Sequence, residues 1–348
     1  MSVSDPLVIH ELLPEDLVRA EIEPLLRGVW EVVQADAALR PYDDSEPWES
    51  FVAGVRAPRT DKHLTRLVAT RAGIVVGVGD VCLPLLDNPH LAELGLVVHP
   101  DHRRTGVGTR LLAEQERRAA ATGRTSWTGG FPAPLEDPAP AHAFAARHGY
   151  DVVSGERLKC LTLDPDGSLP AAWTALGAEV AAHAGAYRIE PFDQHVAPAR
   201  VEGFCALLSR FHDEIPLGEL DLHDMAWDAA RLAEHEARMD ATQQAWFGAV
   251  ALDADDTVVA FTELALDRAH PVRTWVGGTL VLPEHRGHRL GLAVKLASHT
   301  MLRRAYPGCT AVLTGNADVN APMNAVNERL GYVPVERWVD VQKRVVPT

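Results

Sequence analysis

Apolar positions along this chain recur with two periods. Short runs dominated by β-branched and apolar residues read as strands: residues 7–9, 67–69, 75–83, 94–98 and 125–128, then 187–189, 247–252, 258–266, 279–282 and 311–314. Between some of them the spacing widens to three and four residues, as in Leu25, Leu26, Val29 and Val32 or Phe204, Leu207, Leu208 and Phe211. That is the spacing of one helix face. The order strand, helices, three strands, helix, strand, helix, closing strand pair is thus read twice. Gly149 and Gly331 stand where the last helix of each series should stop. The pattern predicts a layered α/β fold, of the α+β kind.

The two series are related by a nearly constant offset. Val98-His99-Pro100-Asp101-His102-Arg103 matches Val281-Leu282-Pro283-Glu284-His285-Arg286 at an offset of 183. Gly149-Tyr150 matches Gly331-Tyr332 at 182, and Glu156-Arg157 and Ile9 match Glu336-Arg337 and Ile189 at 180. Such self-similarity marks an internal repeat. The turn residues of 165–170 and the Ala-rich stretch 171–185 separate the copies. Expected units are residues 1–164, a linker at 165–185 with a short helix, and residues 186–348.

Composition narrows the chemistry. Hydrophobic residues make up 47% of the 348, enough for a core in each unit, and the formal net charge is −15. That balance argues against a nucleic-acid partner, which needs a broad basic surface, and favours approach of cations. Cys82, Cys160, Cys205 and Cys309 form no C-x-x-C, and the sixteen histidines form no H-E-x-x-H. No metal is therefore expected. Neither a leader-like N-terminus nor a run of ~18 apolar residues occurs, so the expectation is no membrane span and a cytoplasmic protein, monomer or homodimer.

The most informative segment follows the strand ending at Val97-Val98: Arg103-Arg104-Thr105-Gly106-Val107-Gly108-Thr109. Glycines let backbone approach a ligand, and the unpaired N–H groups that open a helix form an anion site. The arginines add charge, and a pyrophosphate suits the whole. Arg103-x-x-Gly106-x-Gly108 resembles the acetyl-CoA signature of the GNAT superfamily of N-acetyltransferases. Gly149-Tyr150, about 40 residues later, supports the likeness. It extends over nearly the whole chain, because Leu280-Val281 leads into a second loop, Arg286-Gly287-His288-Arg289-Leu290-Gly291. There Arg289 stands in place of Gly106; if the position requires positive φ, arginine costs ~1–2 kcal/mol. The chain also resembles the tandem two-unit acetyltransferases of actinobacteria, distantly mycothiol synthase. The resemblance implies two GNAT folds, each a mixed, mostly antiparallel sheet with helices on both faces. It further implies acetyl-CoA as acyl donor, bound in a splay between two strands, and a small-molecule amine that attacks the thioester directly.

An attacking ammonium must lose a proton. The resemblance puts a base on the strand before the loop, where Glu93 lies; the second unit has Val276 there. Asp80 and Glu263 pair at the 183 offset on the preceding strand and are further candidates. The family's usual tyrosine acid is missing, since Ala145 and Asn327 occupy its positions. Asn320 and Asn327, on one helix face, and Asn316 before them are candidates for the CoA arm, with helix capping as the plainer role. Acceptor recognition is expected from Asp213 and Glu214, within a cluster that includes Glu219, Asp221, Asp224 and Asp228. Asp43, Asp44, Glu46 and Glu49 form its first-unit counterpart. A solvated acidic face is the plainer reading of each. A non-catalytic CoA-binding or regulatory protein, or use of another acyl donor, remains the alternative, and the sequence leaves open which unit turns over.

Overall fold

A computed structural model describes residues 5–136, 139–223 and 225–346; Asp224 of the acidic cluster lies outside them. The first repeat runs β1 (Leu7–Leu12), α1 (Glu23–Ala37), α2 (Trp48–Arg56), β2 (Lys62–Arg71), β3 (Ile74–Pro84), β4 (Leu91–Val98), α3 (Val107–Ala121), β5 (Ser126–Ala133), α4 (Ala139–Arg147) and β6 (Asp151–Thr162). A connecting helix, α5 (Ala172–His183), leads into the second. That repeat runs β7 (Arg188–Asp193), α6 (Val201–Ser209), α7 (Ala229–Ala241), β8 (Gln244–Leu252), β9 (Val258–Asp267), β10 (Arg273–Val281), α8 (Leu290–Ala305), β11 (Ala311–Ala317), α9 (Ala321–Leu330) and β12 (Val333–Arg344). Within the Pro-rich stretch 132–140, β5 keeps Pro132 and Ala133, and α4 opens at Ala139.

Strand alternation builds two core layers. In the first repeat Val68 and Val78 face Leu26, Val29 and Val32 of α1, while Leu67, Ala69 and Val76 face Val107 and Leu111 of α3. Successive side chains leave opposite faces of a strand, and a bulge at Val76 turns it to the face opposite Val78, so the sheet packs helices on both sides. The second repeat does the same with α6 and α8.

Among the described residues twelve strands join in one sheet, in the order β1-β2-β3-β4-β5-β12-β6-β11-β10-β9-β8-β7. Only β4–β5 and β10–β11 are parallel contacts; the others are antiparallel. The centre of the sheet departs from the expected closing strand pair in each unit. Each repeat supplies one long closing strand, and the two interleave. β12 fills the place between β5 and β6, and β6 fills the place between β12 and β11. The repeats are therefore contiguous in sequence but exchanged in space, and residues 1–164 and 186–348 are not two separate sheets. The long strands satisfy this arrangement because both of their hydrogen-bonding edges are used, as central strands require.

Candidate active site

Two splays open in the sheet, one per repeat. β4 and β5 pair only at Leu91↔Ser126, Ala92↔Trp127 and Glu93↔Thr128, and β10 and β11 only at Arg273↔Ala311, Thr274↔Val312 and Trp275↔Leu313. Beyond those residues the strands part, and a loop and helix follow the diverging strand. The loops are close copies. Arg103 Nε donates to Val98 O at 3.1 Å, and Arg286 Nε donates to Val281 O at 3.1 Å. Both loops contain two left-handed residues. In the first they are Arg104 (φ 61°) and Gly106 (φ 85°); in the second, Gly287 (φ 89°) and Arg289 (φ 60°). Glycine and arginine have exchanged places on one backbone path. The position of Arg289 does need positive φ, so it carries the strain that Gly106 avoids.

Both paths suit a pyrophosphate. Among the described residues no acceptor takes the N–H groups of 104–109 or 287–292, and neither α3 nor α8 has a side-chain cap. A run of unpaired amides at a helix N-terminus is an anion cradle. A Cβ at Gly106 or Gly287 would meet nothing within 4 Å, so the space above both is open. Three of the loop arginines are engaged elsewhere. Arg103 pairs with Asp36, Arg286 Nη2 with Glu214 Oε2 at 2.8 Å, and Arg289 Nε with Glu179 Oε1 at 3.0 Å. Thr105 donates to His102 O, and Val107 and Leu290 are buried helix anchors beneath the loops. Thr109 Oγ1 lies 3.4 Å from His148 Nε2, and the Gly108 side of α3 faces the ring of Phe144. Gly291 instead faces Val281, Met323 and Val326.

The repeats differ most where an acid could act. Asp80 is held by Arg66 through two 2.8 Å hydrogen bonds, and the guanidinium is almost fully buried. In the second repeat Gly248 stands opposite Glu263, as Arg66 stands opposite Asp80. Glu263 has no arginine. It accepts one hydrogen bond, from Trp246 Nε1 at 2.9 Å, and burial pushes its carboxyl up to about 7 despite that bond. The first-repeat strand β4 pairs regularly with β3 past Gly95, whose carbonyl accepts from Gln115 Nε2 at 2.6 Å. β10 carries a bulge between Val276 and Gly278. Glu263 Oε1 lies 3.0 Å from where a Cβ on Gly277 would stand, so a bare glycine lets the carboxylate reach the bulge. A bulge leaves a residue out of the ladder and re-aims the backbone. Glu93, by contrast, is exposed on β4 with Lys62 Nζ 3.9 Å away.

A cavity of about 490 Å³ occupies the second splay. Its walls are residues 275–279 of β10 and 314–317 of β11, and Leu280 is buried in the core beside it. Glu263 is not on the wall; it lies behind Gly277. The far wall comes from the first repeat and the exchanged strands: Arg40, Tyr42 and Asp44 after α1, Glu156 of β6 and Trp338 of β12. Arg40 Nη1 donates to Glu336 at 3.2 Å and Tyr42 OH donates to Glu336 Oε2 at 3.3 Å, tying this wall to β12. Burial raises the Asp44, Glu156 and Glu336 carboxyls above their ordinary range. Glu156 Oε2 stands only 2.2 Å from a Cβ imagined on Gly315, which explains the glycine there. Asp213 and Glu214 lie in the turn His212–Glu214, next to the wall residues Ile215 and Pro216, but Glu214 is spent on Arg210 and Arg286.

Asn316 and Asn320 line the cavity, and Asn327 is bonded to Asn316. Asn320 caps α9, accepting from Met323 N at 3.3 Å, and Asn327 Nδ2 donates to Asn316 Oδ1. Asn327 Oδ1 accepts from Lys295 Nζ at 2.8 Å. Lys295 is almost fully buried, lines the cavity, and was not among the sequence candidates. Its signal was there: it is the only charge in residues 290–302, an otherwise apolar and neutral helix. Residues His90, Asp221 and His223 cluster at the surface between the repeats. His90 Nε2 is 3.0 Å from the Asp221 carbonyl, which can only accept. That nitrogen carries its proton and has no lone pair for a metal.

No helix among the described residues is long and apolar enough to cross a membrane. No curated protein matches this chain. Solved structures share its fold. A tandem GNAT protein from the clavulanic acid biosynthesis pathway superposes with a TM-score of 0.75 at 24% identity, covering 99% of this chain and 100% of that one. A GCN5-related N-acetyltransferase from Sphaerobacter thermophilus does so at 0.63 and 16%, covering 97% and 95%. A glucosamine N-acetyltransferase region of a fungal β-N-acetylglucosaminidase gives 0.65 and 14%, covering 97% of this chain and 38% of that one. None of these bears on the likeness to mycothiol synthase. The acetyltransferase (GNAT) family model matches residues 26–150 and 219–332, more than half of the chain and both repeats, and the chain therefore belongs to the GNAT family of acetyltransferases, as a tandem of two such folds.

Proposed function

We propose that this protein transfers an acetyl group from acetyl-CoA to a primary amine of a small, cationic molecule, and that the reaction occurs in the second splay. The observation that carries this reading is Glu263. It is a half-buried carboxylate with no cationic partner among the described residues, behind a bulge in the wall of a 490 Å³ cavity. Its first-repeat counterpart, Asp80, is quenched by Arg66. A carboxyl with a pKa near the working pH suits a general base. Glu263 would take the ammonium proton directly or across one water, with the Trp246 indole fixing the carboxylate.

The amides of 287–292 would hold the pyrophosphate of acetyl-CoA, and Asn316 and Asn327 would meet its amide-bearing arm. That group supplies the activated acyl carbon. Asp44 and Glu156, on the wall facing the splay, favour a cationic acceptor over an anionic one. The first repeat retains the loop, but its corresponding acid is paired with Arg66 and its β4 runs alongside β3 without a bulge, which fits a structural unit that keeps an anion site.

The test is thioester cleavage from acetyl-CoA against a panel of cationic, neutral and acidic amines, with kcat/KM followed against ionic strength. The expected best substrates are cationic, and kcat/KM should fall as salt shortens the Debye length from ~10 Å at 0.1 M to ~3 Å at 1 M. A best substrate that is acidic overturns the cationic acceptor, and acetyl-CoA binding with no turnover on any amine overturns the reading in favour of a non-catalytic CoA-binding protein.

A further inference from the structure

We propose that Lys295 protonates the sulfur that leaves when the thioester is cleaved, an inference resting on the acyl transfer proposed above. Amine attack makes a C–N bond and breaks the C–S bond, and the electron pair of that bond departs on sulfur as a thiolate. A thiolate in a closed site needs a proton or a counter-charge. Asn327 stands where the resemblance to the family implies a tyrosine acid, and it has no acidic proton to give.

The structure places an ammonium at the same point. Lys295 projects from the second turn of α8 and is 1% exposed, yet it lines the cavity between the parted strands. Its Nζ donates one hydrogen bond, to Asn327 Oδ1 at 2.8 Å, and lies 5.3 Å from the centre of the Tyr332 ring. No carboxylate among the described residues lies within ion-pairing distance of it. Asn327 is in turn anchored by Asn316, so the tether holding the ammonium is itself fixed. The Tyr332 hydroxyl is occupied by His299 Nε2 at 2.6 Å and is not free to act. Burial and the nearby Lys159 lower the Lys295 ammonium to about 7, so it gives up a proton more readily than an ordinary lysine and recovers it from solvent near neutral pH. Repeat symmetry supplies the control. At the 183 offset the first repeat has Leu112, and it has Ala145 in place of Asn327. The whole polar set is confined to the repeat with the unpartnered acid.

The balance is complete. Glu263 takes the ammonium proton before attack and passes it to water, nitrogen loses a second proton to Glu263 or water once the C–N bond has formed, and Lys295 gives one to sulfur and recovers it from water, so that one proton is released to solvent per turnover. An ammonium facing the sulfur must also lower the thiol pKa of bound CoA. The experiment titrates that thiol by thiolate absorbance in the CoA complex, with desulfo-CoA as blank, in the wild type and in Lys295→Met. The expected result is a bound thiol that titrates at least about one unit lower in the wild type than in the variant, with calorimetric affinity for CoA within about threefold. Equal titrations overturn the proposal, and so does a loss of CoA affinity of about tenfold or more, which would make Lys295 a binding residue. A wild type that binds no CoA overturns this inference and the proposed function together, whereas binding with equal titrations removes only this inference. Lys295→Arg, which keeps the charge but holds its proton, gives a second decision. Turnover of acetyl-CoA with 1,4-diaminobutane should fall by about 30-fold or more. Retained turnover would mean that charge alone suffices and would overturn proton donation.

Discussion

At the scale of single residues, the two repeats show how one cross-strand neighbour decides the fate of a carboxylate. Asp80 and Glu263 were both legible as strand acids at one offset; which of them is available depends on Arg66 and Gly248, which only register brings opposite them. Glu263→Gln should lower kcat by ~10²-fold or more and remove the rise of kcat/KM through pH ~7. The same substitution has a stability signature of known sign. The folded carboxyl sits at about 7 against an ordinary 4.5, so the native state holds a proton that the unfolded chain has lost between those values. Stability contributed by this group is therefore present at low pH and lost as pH rises toward 7, by up to roughly 3 kcal/mol. Thermal melts should show Glu263→Gln gaining on the wild type at pH 8 and not at pH 4. Asp80→Asn should do the reverse kind of damage. It leaves the buried Arg66 guanidinium without its carboxylate, a loss of about 3 kcal/mol or more, while turnover per folded molecule stays near wild type. Equal melting temperatures for Asp80→Asn and wild type would show that the pair is not structural.

Elements carry the second level. The glycine-bearing loops were readable because strand, turn and helix start leave a compositional trace. The exchange of arginine and glycine between the left-handed positions was half readable: Arg289 was visible as a departure, but its pairing with Glu179 was not. The β10 bulge left no trace, since it depends on where β9 and β10 slip past each other. The Asp44 wall shows the same limit. The acidic stretch after α1 was visible, yet it serves the cavity of the other repeat. A carboxylate in the second loop is the sharpest test at this scale. Gly287→Glu, at φ 89°, should weaken CoA binding at the second splay by at least tenfold, ~1.4 kcal/mol, and reduce turnover in step. Gly106→Glu should leave turnover intact, even if calorimetry shows a second CoA lost. Turnover that follows Gly106 instead would move the chemistry to the first repeat.

At the scale of the molecule, the interleaved strands β12 and β6 join the two units that the repeat offset implied into one sheet. Sequence shows where a copy begins and ends, whereas exchange is a matter of which edge a strand finds, and both choices bury the same residues. Residues 1–164 and 186–348 produced separately should each lack the strand that fills its own gap. Neither should give a monomer with a cooperative thermal transition, while co-expression should restore one. A monomeric, cooperatively melting half would contradict the exchange. The same interleaving sets how the cavity depends on dilution. Its walls come from both halves, as they would in a pair of separate subunits, and such a pair falls apart as concentration drops. Here a covalent tether keeps the second half at a high, fixed effective concentration around the first. The composite site therefore assembles by first-order kinetics, and one copy is free to lose its chemistry without the other losing its wall.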